Sequence, residues 1–270
     1  MAQARGPRRA GWFRPHEPID RRTYAGGVAA SAATILAVWA ALTYGGLVPP
    51  LFLPSPSDVG RAAATLLRDG SLLTHTGASL KVILTGWALA VAAAVPVGVL
   101  MGTLKLVEAI IEPIIDFVRY LPVSAMIPLL ILYIGIGAPE KVAVIFIGTF
   151  FQLVLLVADV SANVSKDLLD SGYTLGATQR TVFTRVLVPA TLPGVMDNLR
   201  ITMGWAWTYL IVAELVSSDR GLGYLILDSM RGLFTDRIFV GLFTIGLLGL
   251  GSDLLFKWLH RRLLPWSPRI

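Results

Sequence analysis

Long uncharged runs alternate with short polar ones along this chain. Ala25 to Leu47 carries no charge over 23 residues, Thr76 to Leu104 carries only Lys81, and Tyr120 to Ala138 carries none. About 20 apolar residues in a helix cross the hydrocarbon core of a bilayer, so runs of this length predict transmembrane helices. Six spans are expected, at about 25–47, 76–104, 110–136, 140–160, 190–214 and 238–259. Residues 1–24 form a basic arm before a membrane domain at 25–264, and 265–270 form a short tail.

One interruption is longer and more structured than the rest. Residues 166–189 lie within the polar stretch Lys166 to Gly194 and predict two short helices joined at a glycine. Ser165 is placed to cap the first helix, with Asp167 in its first turn. Gly176 suits a helix end with positive φ, and Thr178 caps the second helix, whose Val182, Phe183, Val186 and Leu187 share a face. Pro189 and Pro193 are expected to end that run. On the residues alone, the segment is either a docking element or an ordinary polar loop.

The prolines divide the remainder. Leu51 to Pro56 stops the first helix, after which Ser57 is expected to cap a short surface helix running from Asp58 to Arg68. Pro122 and Pro128 interrupt the third span and Gly135 and Gly137 end it, so this span is expected to face protein or a pathway rather than lipid. Gly98 and Gly102 in the second span permit close packing, as such pairs commonly do in apolar helices.

Polar residues inside spans are the candidates for a solute pathway. Asp116 with Arg119, Asp197 with Arg200 and Asp253 with Lys257 are spaced to pair on one helix face. They are either local ion pairs, or Arg119 or Arg200 exchanges its carboxylate for a passing anion through a planar two-point fork. The amide of Gln152 either lines the pathway or joins two helices. Trp205 and Trp207 point to different sides, one to the pathway and one to a partner helix. Glu214 either repels anions near the end of the fifth span or, the preferred reading, faces water.

Composition narrows the class. Hydrophobic residues make up 55% of the chain and the mean hydropathy is +0.70, as in a membrane protein. The formal charge of +6 gathers at helix flanks rather than in a nucleic-acid-binding face, and its distribution puts both termini and the 166–189 loop in the cytoplasm. Cysteine is absent and His16, His75 and His260 are scattered, so no metal site is expected. The apolar run from Ala25 is too long for a signal-peptide core and is expected to stay as an anchor. No phosphate-binding GxxxxGK[ST] loop occurs, and no cofactor or catalytic residue is expected in the chain itself.

Asp170-Ser171-Gly172, Gly176-Ala177, Leu187-Val188-Pro189 and Leu192-Pro193-Gly194 resemble the EAA coupling loop of ABC-importer permeases. Asp170 stands where that loop has Glu, and Ser171 and Gly172 stand where it has two Ala. The segments LPSPS, RYLPVSAMIPLLILYIGIG and LRITMGWAWTYLIVAEL are similar to the nitrate, sulfonate, taurine and bicarbonate branch. The resemblance implies an all-α type I importer permease fold with six membrane helices in a bacterial inner membrane. It implies that Asp170, Ser171, Gly172, Gly176, Ala177 and Pro189 meet an ATPase. It further implies a second permease copy, as a homodimer, two cytoplasmic ATPases binding ATP and Mg, and an external substrate-binding protein. The expected substrate is a small oxyanion such as nitrate, bicarbonate, a sulfonate or taurine; the alternative is an organic solute such as an aromatic acid or a pyrimidine-like precursor. A self-contained secondary transporter is the reading from another class, and it would normally carry an internal repeat with matching broken helices.

Overall fold

The computed structural model describes residues 19–267, and every described element is a helix or the connection between helices. Most of the basic arm, with Arg5, Arg8, Arg9 and Arg14, and the last residues of the tail, with Arg269, lie outside the described residues. The chain forms two compact units, divided after Asp58.

In the first unit, α1 (Arg21–Tyr44) buries no residue, and Asp20 caps it by accepting from the Arg22 N–H. It starts inside the expected arm because Asp20 provides the cap. After α1 the chain folds back on the helix: Trp39 donates from Nε1 to the Pro54 carbonyl at 3.0 Å, and the Tyr44 hydroxyl donates to Ser57 Oγ at 3.0 Å. Helix α2 (Pro56–Arg68) starts two residues earlier than expected. Its cap is Ser55 rather than Ser57. Ser55 Oγ accepts from the Asp58 N–H at 3.3 Å while the Asp58 carboxylate accepts from the Ser55 N–H at 3.2 Å, and Pro56 occupies the first helical position.

The second unit is a bundle built on α3 (Ser71–Thr103), α6 (Ala138–Ala162) and α9 (Val188–Val216), with α10 (Leu222–Arg231) and α11 (Thr235–Leu263) packed on α9. Asp69 precedes α3 and accepts from the Ser71 N–H at 2.9 Å and Ser71 Oγ at 2.6 Å, bonds that hold its carboxyl below the ordinary range. Helices α3 and α6 approach along small residues: a Cβ on Gly98 would lie 2.7 Å from the Val154 carbonyl oxygen, and one on Gly86 would lie 2.8 Å from Ile145 Cβ. The Gly98–Gly102 pair is therefore a contact surface, with side chains replaced by backbone approach. Asn198 on α9 donates to the Leu156 carbonyl on α6 at 2.9 Å and ties the third member in.

Four helices among the described residues are long and apolar enough to cross a membrane: α1, α3, α6 and α11. The single kinked span expected at 110–136 is instead two helices, α4 (Lys105–Val118) and α5 (Val123–Ile134), bent 94° at their junction. Pro122 accounts for the elbow, because the residue before a proline is excluded from helical backbone and the ring supplies no N–H to continue the ladder. Pro113 and Pro128, by contrast, lie within helices.

Candidate functional site

Three features converge on α9. The first is the polar hairpin before it, in which α7 (Lys166–Thr174) is followed by a turn at Gly176, φ +81°, and then by α8 (Gln179–Val182). Thr178 caps α8 through its side chain, accepting from the Thr181 N–H at 3.3 Å. Ser165 occupies the cap position of α7 without a side-chain bond to it. Gly172 lets the two arms close: a Cβ there would be 3.2 Å from Val182 Cγ2. Asp170, Ser171 and Gly176 are exposed, Ala177 and Pro189 are half-buried, and Leu175 at the tip is 88% exposed.

The prolines do not end the helical run. Residues Phe183–Leu187 make a wide π-helical turn that leads into α9, with Pro189 in the first turn of that helix and Pro193 inside it. The wide turn absorbs the missing proline donors, which is a known use of such local adjustments in membrane helices.

The second feature is a cavity of about 300 Å³ between the α4–α5 elbow, α6 and α9. It gathers Arg119 and Gln152 with Ser124, Thr208 and Tyr209, while Val144, Phe151 and Val212 supply part of its apolar wall. Arg119 pairs with Asp116 at 3.0 Å, as its spacing predicts, and donates from Nη2 to the Tyr120 hydroxyl at 2.8 Å, with its guanidinium carbon 4.5 Å from that ring's centroid. Tyr209 seats against Gly148, where a Cβ would be 2.7 Å from the ring. Sequence reading missed Thr208, Tyr209 and Gly148; two polar side chains in tandem inside an apolar run were the available signal.

The other pathway candidates lie elsewhere. Arg200 does not pair with Asp197. It bonds Asp253 on α11, which also takes Lys257 Nζ at 2.9 Å, while Asp197 lies 3.4 Å from His260 Nδ1. The crossing of α9 and α11 brings a longer-range partner within reach, and the local i,i+3 pair is not made. Trp207 is buried among Val82, Met203, Leu210 and Phe256, and Trp205 is 36% exposed on another side. Neither lines the cavity.

The third feature is the turn between α9 and α10. Glu214 does not face water: it is 1% exposed and accepts from Ser79 Oγ at 2.6 Å and the Gly223 N–H at 2.7 Å. Ser79 Oγ accepts in turn from the Leu222 N–H at 2.8 Å, and His75 Nδ1 from the Gly221 N–H at 3.2 Å. Glu140, fully buried, accepts from Ser217 Oγ at 2.7 Å, and Lys141 donates to Ser218 Oγ at 2.8 Å. The start of α10 thus has its free donors met by side chains of α3 and α9.

A helical bundle with membrane-length apolar helices, a cavity lined by Arg119 and an exposed helical hairpin has the make-up of an integral membrane protein. Residues 94–265 match the family described as binding-protein-dependent transport system inner membrane component, and the chain belongs to that family, the permease component of ABC importers. It is 40% identical over 231 residues to a probable ABC transporter permease protein of Brucella abortus, covering 86% of this chain and 91% of the relative. It is 32% identical over 243 residues to the taurine transport system permease protein TauC of Escherichia coli, covering 88% of each. The fold is similar to that of the MetNI methionine ABC transporter in an inward-facing conformation, with TM-score 0.55 at 19% identity over 66% of this chain and 91% of that one.

Proposed function

We propose that this chain carries a small oxyanion across the inner membrane as one permease of an ATP-driven importer whose cargo arrives on an external binding protein. The observation that carries the reading is the exposed α7–α8 hairpin, continued into α9 without an intervening loop, with α9 lining the cavity that holds Arg119. A cytoplasmic ATPase gripping Asp170, Ser171, Gly172, Gly176, Ala177 and Pro189 would move that cavity wall. ATP and Mg belong to this partner.

Six spans complete the topology. The fourth apolar helix of the bundle is α9, whose 29 residues suffice to cross despite Asp197, Arg200 and Glu214, because each of these charges has a partner within the bundle. The bent α4–α5 pair counts as one broken span. Lys and Arg flanking the hairpin and both termini favour the orientation with these segments in the cytoplasm. A broken span in lipid must be covered by protein, and a second copy of the chain is the natural cover.

The reading is tested by uptake of labelled taurine, an alkanesulfonate, nitrate and bicarbonate at micromolar concentration, in cells with and without this chain. ATP-dependent loss of one anion's uptake in the deletion strain is expected. Loss of no anion's uptake would move the substrate to an organic solute, and uptake persisting after ATP depletion would favour a secondary transporter.

A further inference from the structure

Consecutive backbone N–H groups at the start of α10 are each held by a side chain from a neighbouring helix. Gly221 donates to His75 Nδ1 at 3.2 Å, Leu222 to Ser79 Oγ at 2.8 Å and Gly223 to the Glu214 carboxylate at 2.7 Å. A helix start has no partners of its own for these donors. His75 and Ser79 stand one turn apart on α3, and Glu214 comes from the last turn of α9, so the contacts latch α10 to two helices at once. The acceptors differ in what acid does to them. Ser79 is a hydroxyl and accepts at any pH, and Glu214 is 1% exposed and shut away from solution. His75 is half-buried. It accepts through Nδ1 only as the neutral ring with its proton on Nε2, because a second proton, on Nδ1, would set a donor against the Gly221 N–H. An imidazole ordinarily makes that change between about pH 5 and about pH 8. The charged groups around the ring are Asp69 before α3, Arg220 in the turn and Asp228 on α10, and the Tyr224 ring lies 5.7 Å away, centre to centre. Arg237 at the start of α11 acts on Asp69 in turn.

We propose that His75 is the acid-sensitive point of this latch: one proton on Nδ1 releases the Gly221 N–H and loosens the turn at 217–220, while Ser79 and Glu214 keep α10 on the bundle. The bond is present above the titration of the imidazole and is lost as pH falls through it. The turn lies at the end of α9 away from the hairpin, so external acid is what acts on it. That choice of side rests on the orientation given under the proposed function; the latch itself does not.

The test is the mobility of a nitroxide label on Asp219→Cys, read by electron paramagnetic resonance in the full chain reconstituted in nanodiscs. The chain has no cysteine of its own, so the label is single. Asp219 is exposed in the turn, and using it leaves Arg220 in place beside the imidazole. From about pH 8 down to about pH 5, the mobile fraction of the label is expected to rise several-fold in the otherwise unaltered chain. In His75→Asn, the side-chain oxygen stands near the place of Nδ1 and accepts at any pH, so the label should stay immobile throughout. In His75→Leu the acceptor is gone, and the label should be mobile throughout. Should His75→Leu fail to assemble, His75→Asn carries the test. A spectrum that does not change with pH would overturn the latch, and so would a transition that persists in His75→Asn, which would hand the titration to Asp69, Asp228 or Glu214. In sealed right-side-out vesicles, external acid alone should produce the change. A response to internal acid alone would keep the latch and defeat the orientation instead.

Discussion

A carboxylate buried where a helix begins must have its charge met by donors, and Glu214 meets this requirement with one hydroxyl and one backbone N–H. Removing it strands both donors in a site with no water access, at about 1–3 kcal/mol for each. Glu214→Ala is therefore expected to loosen the turn before α10. The chain has no cysteine, so Arg220→Cys gives a single reactive thiol in that turn, and its labelling rate should rise several-fold when Glu214→Ala is added. An unchanged rate would mean that Glu140, Lys141 and His75 hold the turn without it. None of this was legible in the sequence. Glu214 stands at the edge of an apolar run, where a charge facing water looks the same as a charge gripping a neighbouring helix. Arg200 misled for a related reason: Asp197 is close in sequence, whereas its actual partner, Asp253, is on another helix and follows no period.

At the scale of elements, the apolar runs that predict α1, α3, α6 and α11 translate directly into helices, because hydrocarbon leaves the backbone no other partner than itself. The hairpin was equally legible, since Gly176 and Thr178 each impose a local geometry independent of tertiary contacts. The elbow between α4 and α5 was foreseen as a kink but not as a bend of 94°, because a proline fixes where a helix breaks and packing fixes how far it turns. Packing also decides what the glycines of α3 do. Gly98 meets the α6 backbone and Gly77 meets nothing within 4 Å. Gly98→Ala is expected to destabilise the bundle by about 1–3 kcal/mol and Gly77→Ala to leave it unchanged or slightly firmer, as read from thermal unfolding in nanodiscs. Equal effects at the two positions would dissociate the close approach from stability.

For the whole molecule, the expected coupling to an ATPase places its burden on a small exposed surface. Gly176→Trp puts a bulky side chain at φ +81° on the tip of the hairpin, where a residue with a Cβ is strained in any surroundings. Loss of ATPase copurification is expected, with membrane insertion of the chain retained. Copurification at the wild-type level would place the ATPase contact elsewhere. The same tip carries Leu175, whose apolar side chain stands 88% exposed.

The wide turn at Phe183–Leu187 gives this arrangement a mechanical character. From Gln179 to Val216 the chain is helical without a break, rising about 1.5 Å per residue. It forms a shaft with the hairpin at one end, Tyr209 partway along and Glu214 gripping α10 at the other. A push on the hairpin by the proposed ATPase partner would therefore travel along the shaft without crossing a loop. The π-helical turn at Phe183–Leu187, where the helix is wound wider, is the place along the shaft where such a push would be divided between rotation and sliding of the cavity wall.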